Sequence, residues 1–360
     1  MKPCTKGCDK PLMYFRTVAT AVPSKSWSQA ECWQVLHETA AVQKLSPRAR
    51  KLLEKVLLGS NGIERRHFAL EEVGGLPALG AQELNEAYER EAVRLGSSAL
   101  SGALERAGLS GINALFVSSC TGYLCPGLSS HIAQQIGLAP DTYLADLTGA
   151  GCGASIPALR LAHGYLAAYP EHRAAVLAVE ISSAAFFVDE DPGVLISLCL
   201  FGDGAAAVLL EGSTANADFA HAGRRRFTHF SGVHWPEHRE KVRFVNRHGK
   251  LCNQLHRSVP DLAARAVGVL YRQRDFSSHR VLCHAGGRDV LDAIERELGS
   301  RDLTEAREVL RCFGNMSSPS VLFALERAIL NERGPQPYWL CAFGAGFSAH
   351  SCALESEEPR

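Results

Sequence analysis

The sequence predicts an α/β protein built from two similar halves, and three observations support this fold class. In each half an apolar, strand-like run stops at a potentially reactive residue, Cys120 after NALFVSS and His284 after HRVLC. Each half then has a glycine-containing turn, at Cys152 and at Asn315, which leads into an apolar pattern of helical spacing. The separations also agree, because Cys120 and Cys152 lie 32 residues apart and His284 and Asn315 lie 31 apart.

The two halves are expected to span residues 14–212 and 222–355 after a polar tail at residues 1–13. Each half closes on a Phe-Gly-x-Gly turn, in LFGDGAAAVLLEG and in AFGAGFSAHSCALE. A strand-like run follows both turns, whereas a dinucleotide-binding fingerprint requires a helix there. The charged segment 39–66 is expected to be helical and to cover the first half.

Length and composition are consistent with an ordinary soluble globular protein. The 360 residues suit two domains or one duplicated domain, and 46% hydrophobic with 21% charged residues is typical of globular proteins. Lys plus Arg equals Asp plus Glu at 38 each, so nothing in the charge favours a nucleic-acid or membrane partner. No signal peptide or membrane-spanning run is evident. We therefore expect a cytoplasmic protein.

The twelve cysteines are expected to be reduced and mostly buried. They include no C-x-x-C pair and no zinc-ribbon spacing, so we expect no metal site. Cys4 and Cys8 lie in the polar tail, where disorder is expected. His234 and His238 are expected to lie in a proline-containing loop and to be solvated rather than to bind metal.

Three residues are candidates for catalysis because a pseudo-twofold arrangement of the halves would bring equivalent positions together. Cys152 lies between glycines at an expected helix start, where the helix dipole lowers a thiol pKa and favours a nucleophile. His284 can stabilise a thiolate and donate to an oxyanion. Asn315 can donate to the same oxyanion without titrating, and it is also a favourable helix N-cap.

At these residues the sequence resembles the chalcone-synthase-like type III polyketide synthases, from about Tyr14 to Glu355. The motifs that carry the resemblance are GAGCGASIPALRLA, LFGDGAAAVLLEG, HAGGRDVLDAIE, GNMSSPSVLFALE and FGAGFSAHSCALE. The resemblance implies a thiolase fold, in which duplicated βαβαβαββ units form five α-β-α-β-α layers. It also implies a homodimer with no metal and no organic cofactor.

The implied reaction is an acyl transfer. Cys152 would take an acyl group from a thioester, and His284 and Asn315 would promote decarboxylation of a malonyl unit. The resulting enolate would extend the chain, which would then cyclise to a pyrone or resorcinol type of product. The implied substrates are malonyl-coenzyme A and acyl thioesters of coenzyme A or of an acyl carrier protein.

The resemblance also implies a substrate cavity. Phe201 matches a gatekeeper aromatic residue, and Asn253 stands where a second gatekeeper Phe is expected. Small side chains leave volume in such a cavity, so we expect an aliphatic starter rather than an aromatic one. Cys125 matches a loop that reaches the partner subunit's cavity, although a surface-loop thiol is an equal alternative. The implied small lining residues are Cys120, Thr121, Ser182, Ser183, Ala185, Ser197, Gly286, Gly287 and Ser317.

One departure from the family pattern concerns how the thioester donor is bound. Leu53, Val56 and Ser60 stand where family members bind the coenzyme A phosphates with basic side chains, and Lys51 and Lys55 are shifted. Weak coenzyme A binding or a carrier-protein donor is therefore expected.

Three other functions compete with this assignment. The first is a single-step ketosynthase like β-ketoacyl-carrier-protein synthase III, whose His-Gln-Ala-Asn motif differs from His284-Ala285-Gly286-Gly287 here. A papain-like protease also uses Cys, His and Asn, but Cys152 lies in mid-chain without that family's signature. A non-catalytic scaffold is disfavoured because all three catalytic residue types are present.

Overall fold

The computed structural model describes residues 13–215, 224–274, 276, 280–331 and 337–356. The tail that contains Cys4 and Cys8 lies outside these residues. So does residue 222, where the second half is expected to begin, and the predicted limits of the halves therefore stay predictions. The strands are β1 (Met13–Ala21), β2 (Ser26–Ser28), β3 (Arg65–His67), β4 (Ala114–Ser118), β5 (Tyr143–Leu147), β6 (Arg173–Glu180), β7 (Gly204–Gly212), β8 (Arg225–Arg239), β9 (Val242–Arg247), β10 (Lys250–Leu255), β11 (Arg280–Cys283), β12 (Tyr338–Gly344) and β13 (Gly346–Ser356). The helices are α1 (Gln29–Leu36), α2 (Ala40–Gln43), α3 (Pro47–Leu58), α4 (Ala81–Ala107), α5 (Leu128–Ile136), α6 (Ser155–Ala168), α7 (Pro192–Leu200), α8 (Val259–Gln273), α9 (Arg288–Glu297), α10 (Thr304–Phe313) and α11 (Ser320–Leu330).

The main sheet repeats one strand arrangement in both halves. Its order is β11-β12-β13-β8-β1-β7-β6-β4-β5. In the first half β1 and β6 are antiparallel to β7, and β4 is parallel to β6. In the second half β8 and β12 are antiparallel to β13, and β11 is parallel to β12. Only two residue pairs, Tyr14↔Arg226 and Phe15↔Arg225, join β1 to β8. The internal duplication is therefore confirmed.

Two helices, α6 and α11, pack between the two halves, so the segments that precede them lie near the centre of the molecule. Helix α6 contacts β4 and β6 on one side and β12 and β13 on the other. Helix α11 contacts β1 and β7 as well as β11 and β12. Helix α4 packs outside the first half and α8 outside the second. These contacts give the expected five layers and confirm the α-β-α-β-α architecture.

The halves are not identical. Five strands of the first half take part in the sheet, whereas four described strands of the second half do so, and none of those four corresponds to β5. In the second half, Asn315, which lies shortly before α11, instead forms an isolated β-bridge with Phe201. This bridge ties the two halves together near the centre.

The segment 39–66, which was expected to be helical, is helical in α2 and α3 but not after Leu58. Helix α3 begins after Ser46, whose hydroxyl accepts from the backbone N–H of Ala49, and ends at Leu58 because Gly59 is extended. The chain then turns into β3, which pairs with β2. Leu53 is fully buried in the core, so its position faces the protein interior. Across the described residues, no helix is both long and apolar enough to cross a bilayer.

Candidate active site

Strand ends and helix starts from both halves meet at one place. Cys120 lies two residues beyond the end of β4, and His284 directly follows β11. Cys152 lies in a single 3₁₀ turn, Gly151–Gly153, just before α6. Asn315 lies five residues before α11. The duplicated topology thus places the four residues as the sequence symmetry predicted.

Ser317 connects these residues. Its hydroxyl donates to Cys152 Sγ at 3.2 Å and lies 3.3 Å from Cys120 Sγ. Its backbone N–H donates to Asn315 Oδ1 at 2.8 Å. The φ of Ser317 is +59°, a left-handed conformation that residues with side chains seldom adopt. This backbone conformation holds one hydroxyl between two thiols.

Asn315 does not cap the following helix. Pro319 is the N-cap residue of α11, and no side chain caps that position. The Asn315 side chain instead donates through Nδ2 to the Gly286 carbonyl at 3.3 Å. Its backbone N–H donates to the Leu200 carbonyl at 2.9 Å. The amide is therefore oriented toward the segment that follows His284.

His284 is enclosed. It is 1% exposed, and the Phe343 ring meets it edge-on with the ring centroids 5.1 Å apart. The His284 ring forms a hydrogen bond with the Ser317 backbone, and Nδ1 is buried without a hydrogen-bond partner among the described residues. Burial lowers the pKa of His284 to about 3, and the hydrogen bond that the ring donates to the Ser317 backbone opposes this only in part. The imidazole is therefore neutral near pH 7.

The expectation that the pKa of Cys152 is lowered was wrong. Burial raises the pKa of Cys152 to about 12, and the hydrogen bond from Ser317 opposes this shift. The desolvation of an enclosed thiolate outweighs any help from the helix dipole, because the 3₁₀ turn separates Cys152 from the first residue of α6. Near pH 7 Cys152 is therefore a thiol and His284 a neutral imidazole.

A glycine-lined contact shapes the turn that carries Cys152. A Cβ atom on Gly344 would lie 2.8 Å from the Cys152 backbone nitrogen and 2.7 Å from that of Gly153. The end of β12 therefore packs directly on the Cys152 backbone. Only a residue without a side chain fits at this contact between the two halves.

Sequence reasoning missed the buried carboxylate beneath the thiols. Glu180 ends β6 and is 0% exposed. It accepts hydrogen bonds from the backbone N–H groups of Cys120 and Thr121, at 3.0 and 3.1 Å, and from the Ser318 hydroxyl at 2.6 Å. Cys120 Sγ also donates to it at 3.3 Å. Burial raises the pKa of Glu180 despite these donors. The available signal was a glutamate inside the apolar run AVLAVEI.

The other expected lining residues fall into two groups. Phe201, Gly286 and Ser317 belong to the cluster, through the Phe201–Asn315 bridge and the hydrogen bonds above. Thr121 also borders it, because its hydroxyl donates to Glu180 at 2.9 Å. Gly287 follows as the N-cap of α9.

The second group has no hydrogen bond to the catalytic candidates among the described residues. Ser183 is bound to Asp203, with its hydroxyl 2.5 Å from Oδ2, so it is part of a separate buried network. Asn253 lies in β10 opposite Phe244, and Cys125 is exposed. Three further members of this group are buried: Ser182, Ala185 and Ser197.

In the described part of the chain, no cluster of three or more His, Cys, Asp or Glu side chains could hold a metal ion. The expectation that His234 and His238 lie in a loop was wrong, because both lie in β8. His234 makes a hydrogen bond of 3.2 Å with the Gly346 carbonyl, and the His238 ring packs edge-on against Trp235.

Comparison with known proteins agrees with this geometry. The family model described as FAE1/type III polyketide synthase-like protein matches residues 22–268, and the C-terminal domain of chalcone and stilbene synthases matches residues 245–336. The 1,3,6,8-tetrahydroxynaphthalene synthase of Streptomyces peucetius is 30% identical, over 94% of this chain and 91% of its own. The 3,5-dihydroxyphenylacetyl-CoA synthase of Streptomyces toyocaensis is 31% identical, over 87% and 81%.

Solved structures confirm the thiolase fold of this family. The polyketide synthase PKS-I from the brown alga Ectocarpus siliculosus superposes with a TM-score of 0.87 at 22% identity, over 98% of this chain and 100% of that one. The tetrahydroxynaphthalene synthase of Streptomyces coelicolor gives 0.84 at 24%, over 96% and 100%. The chain therefore belongs to the type III polyketide synthases, a family of acyltransferases.

Proposed function

We propose that this synthase extends an acyl starter held on Cys152 with malonyl units and cyclises the product. The observation that carries the proposal is the convergence of Cys152, His284 and Asn315, from both halves, around Ser317. These are a thiol nucleophile, a neutral imidazole and a non-titrating amide donor, which are the groups that thioester condensation needs.

The proposed loading step is a thioester exchange. The Cys152 thiol passes its proton to the neutral His284 imidazole and attacks the starter thioester. The tetrahedral intermediate expels the donor thiol, which takes the proton. Because the pKa of Cys152 is high, the thiolate forms only as the proton moves, and His284 is the group that receives it.

The proposed extension step begins with loss of carbon dioxide from a malonyl thioester. The enolate that remains carries charge on its thioester oxygen, which Asn315 Nδ2 and His284 stabilise by hydrogen bonds. The enolate carbon attacks the acyl carbon on Cys152. The Cys152 thiolate leaves, and the lengthened chain stays on the donor thiol, from which it can return to Cys152.

Cyclisation is the proposed final stage, giving a pyrone or resorcinol type of product. Two relatives whose names describe such products support this stage. The phloroglucinol synthase of Pseudomonas fluorescens is 26% identical over 85% of this chain, and an alpha-pyrone synthesis polyketide synthase-like protein of Mycobacterium tuberculosis is 27% identical over 87%. The small side chains of Cys120, Ala185 and Ser197 favour an aliphatic starter. A sharp preference for aromatic starters would overturn that part.

A homodimer is proposed, with the partner covering the face at β5. This strand is the edge of the main sheet, and Tyr143 on it is 53% exposed. The neighbouring loop carries Tyr123, which is 72% exposed, and Cys125. A sheet edge with exposed aromatic side chains is a surface that a second copy can cover. Cys125 would then lie at the partner's cavity.

The test is mass spectrometry of products formed from ¹³C-labelled malonyl-coenzyme A and a series of aliphatic and aromatic acyl-coenzyme A starters. We expect cyclised products that disappear in Cys152→Ala. The matched control is Cys312→Ala, because Cys312 is a partly exposed cysteine near the end of α10. The label count gives the number of extensions. A single extension with every starter would favour the ketosynthase alternative.

A carrier-protein donor is the second candidate. It is favoured by the burial of Leu53 in the core, where a basic side chain for the coenzyme A phosphates is expected. The same assay with malonyl and acyl groups on an acyl carrier protein tests it. A rate that is higher with carrier-bound donors than with coenzyme A donors supports this candidate, and the reverse excludes it.

A further inference from the structure

Arg66 is a buried cation without an acidic partner. The side chain lies in the middle of β3 and is 0% exposed. No carboxylate of the described residues lies within ion-pair distance of it, and its nearest ring is Phe68, 4.9 Å from the guanidinium carbon. An unpaired buried charge is costly, so the hydrogen bonds that it makes must compensate.

Those hydrogen bonds all serve the end of α7. Arg66 Nη1 donates to the carbonyls of Leu198 and Phe201, at 2.7 and 2.9 Å. Arg66 Nε donates to Gln29 Oε1 at 2.9 Å, and Gln29 Nε2 donates to the Cys199 carbonyl at 2.9 Å. The last carbonyls of a helix have no partner within the helix. Arg66 and Gln29 together satisfy three carbonyls around the segment that presents Phe201.

The same segment is paired with the backbone of Asn315. The Asn315 N–H donates to the Leu200 carbonyl at 2.9 Å, and the Gly202 N–H donates to the Asn315 carbonyl at 3.0 Å. Any shift of residues 200–202 is therefore passed to Asn315. The Asn315 side chain would then move relative to Gly286.

Arg66 also touches the residue before Asn315. A Cβ atom on Gly314 would lie 2.9 Å from Arg66 Cγ and 3.0 Å from Cδ, so the aliphatic stem lies directly against this glycine. Gly314 has a φ of +72°, which sets the direction in which the chain enters Asn315. One side chain thus contacts both segments that carry Phe201 and Asn315.

We infer that Arg66 is a positioning residue for the Asn315 amide, and that it controls decarboxylation and extension rather than the loading of Cys152. This inference rests on the proposed function, in which Asn315 acts on the malonyl enolate. A planar guanidinium can donate to two carbonyls and a side-chain amide at once, whereas a lysine ammonium is a single point charge. Lysine at this position would keep the positive charge but could not make the same three hydrogen bonds, to two carbonyls and to Gln29.

The first test compares two partial reactions in Arg66→Lys. Loading is measured as the rate of Cys152 acylation by intact-protein mass spectrometry, and decarboxylation as carbon dioxide release from malonyl-coenzyme A. We expect loading within about two-fold of wild type and decarboxylation reduced by about 100-fold, the effect of an approximately 1 Å misplacement. Equal losses in both reactions would mean a merely structural role and would overturn the inference. Arg65→Lys is the matched control, since Arg65 is the exposed neighbour in the same strand.

The second test is a double-mutant cycle on decarboxylation with Asn315→Ala. If Arg66 acts through Asn315, Arg66→Lys in the Asn315→Ala background should cost no more than about two-fold further. Multiplicative losses in the double variant would show that Arg66 acts independently of Asn315. Gln29→Met gives a milder perturbation if Arg66→Lys folds poorly. It removes the acceptor of the Arg66 Nε hydrogen bond and the donor to the Cys199 carbonyl, but it leaves Arg66 in place. We expect the same split between loading and decarboxylation.

A third readout does not depend on the reaction. Hydrogen exchange of the Gly202 and Asn315 amides is expected to speed up in Arg66→Lys and to stay unchanged in Arg65→Lys. If wild type decarboxylates no malonyl donor, the proposed function fails, and the exchange data alone then decide on Arg66. Unchanged exchange at these two amides would overturn the positioning role, whereas faster exchange confined to them would support it.

Discussion

Ser317 and Cys152 come from different halves of the chain, and the Ser317 hydroxyl donates a hydrogen bond of 3.2 Å to the Cys152 sulfur. The same hydroxyl lies 3.3 Å from Cys120 Sγ. The contact couples the segment that carries Asn315 to the nucleophile. It is also the interaction that opposes the burial-induced rise in the pKa of Cys152.

Removal of this hydroxyl should therefore make Cys152 less reactive. In Ser317→Ala the pKa of Cys152 rises further, and a lost hydrogen bond of about 1 kcal/mol corresponds to about five-fold slower alkylation by iodoacetamide. The rate is followed by mass spectrometry of the Cys152 peptide. Ser318→Ala is the matched control, because Ser318 donates to Glu180 rather than to Cys152. Equal slowing in both variants would contradict the assignment.

The buried neutral His284 should reduce stability in acid. Burial lowers its pKa to about 3 in the folded protein, against 6.5 for an unperturbed histidine, so the unfolded chain binds more protons between these values. Stability then decreases as pH falls below about 6.5, by up to about 1.4 kcal/mol per pH unit. His284→Gln should remove this contribution in urea unfolding measured between pH 4.5 and 6. His256→Gln, at an exposed histidine, should leave the pH dependence unchanged.

A methyl group at Gly344 should disable the site. Its carbon would lie 2.8 Å from the Cys152 backbone nitrogen, so the turn that carries the nucleophile must shift. We expect Gly344→Ala to lose Cys152 acylation almost completely. Gly164→Ala is the control, because Gly164 lies on exposed α6 surface with nothing within 4 Å of a Cβ, and it should gain about 0.5–1 kcal/mol of stability. Normal acylation in Gly344→Ala would show that the turn tolerates displacement.

The proposed dimer face can be tested by charge. Tyr143 is exposed on edge strand β5, where its ring stacks on Tyr165 with the centroids 5.6 Å apart. A buried lysine without a partner is unfavourable, so Tyr143→Lys should weaken the dimer and lower the mass measured by light scattering after size exclusion. Leu330→Lys is the control, at a residue 71% exposed at the end of α11. A dimer that withstands Tyr143→Lys would place the interface elsewhere.

Local patterns were enough to predict the duplication and the positions of Cys152, His284 and Asn315. Strand ends, glycine turns and helical spacing depend on neighbouring residues, and the two halves could be compared within one chain. The same local reasoning predicted that the whole segment 39–66 is helical, because it could not detect that Gly59 is extended and that the chain then pairs β3 with β2.

Only the tertiary structure decided the electrostatics of the site. The sequence alone determined which residue types stand at the two strand ends and before the two central helices. The pKa of Cys152 was misjudged because burial depends on segments far away in the chain, such as the end of β12 at Gly344. Glu180 and Arg66 were overlooked for the same reason: each is a charged residue with partners far away in the chain, such as Ser318 for Glu180 and Phe201 for Arg66. Desolvation and hydrogen bonding act through space, so such residues acquire their roles only when the two halves pack together.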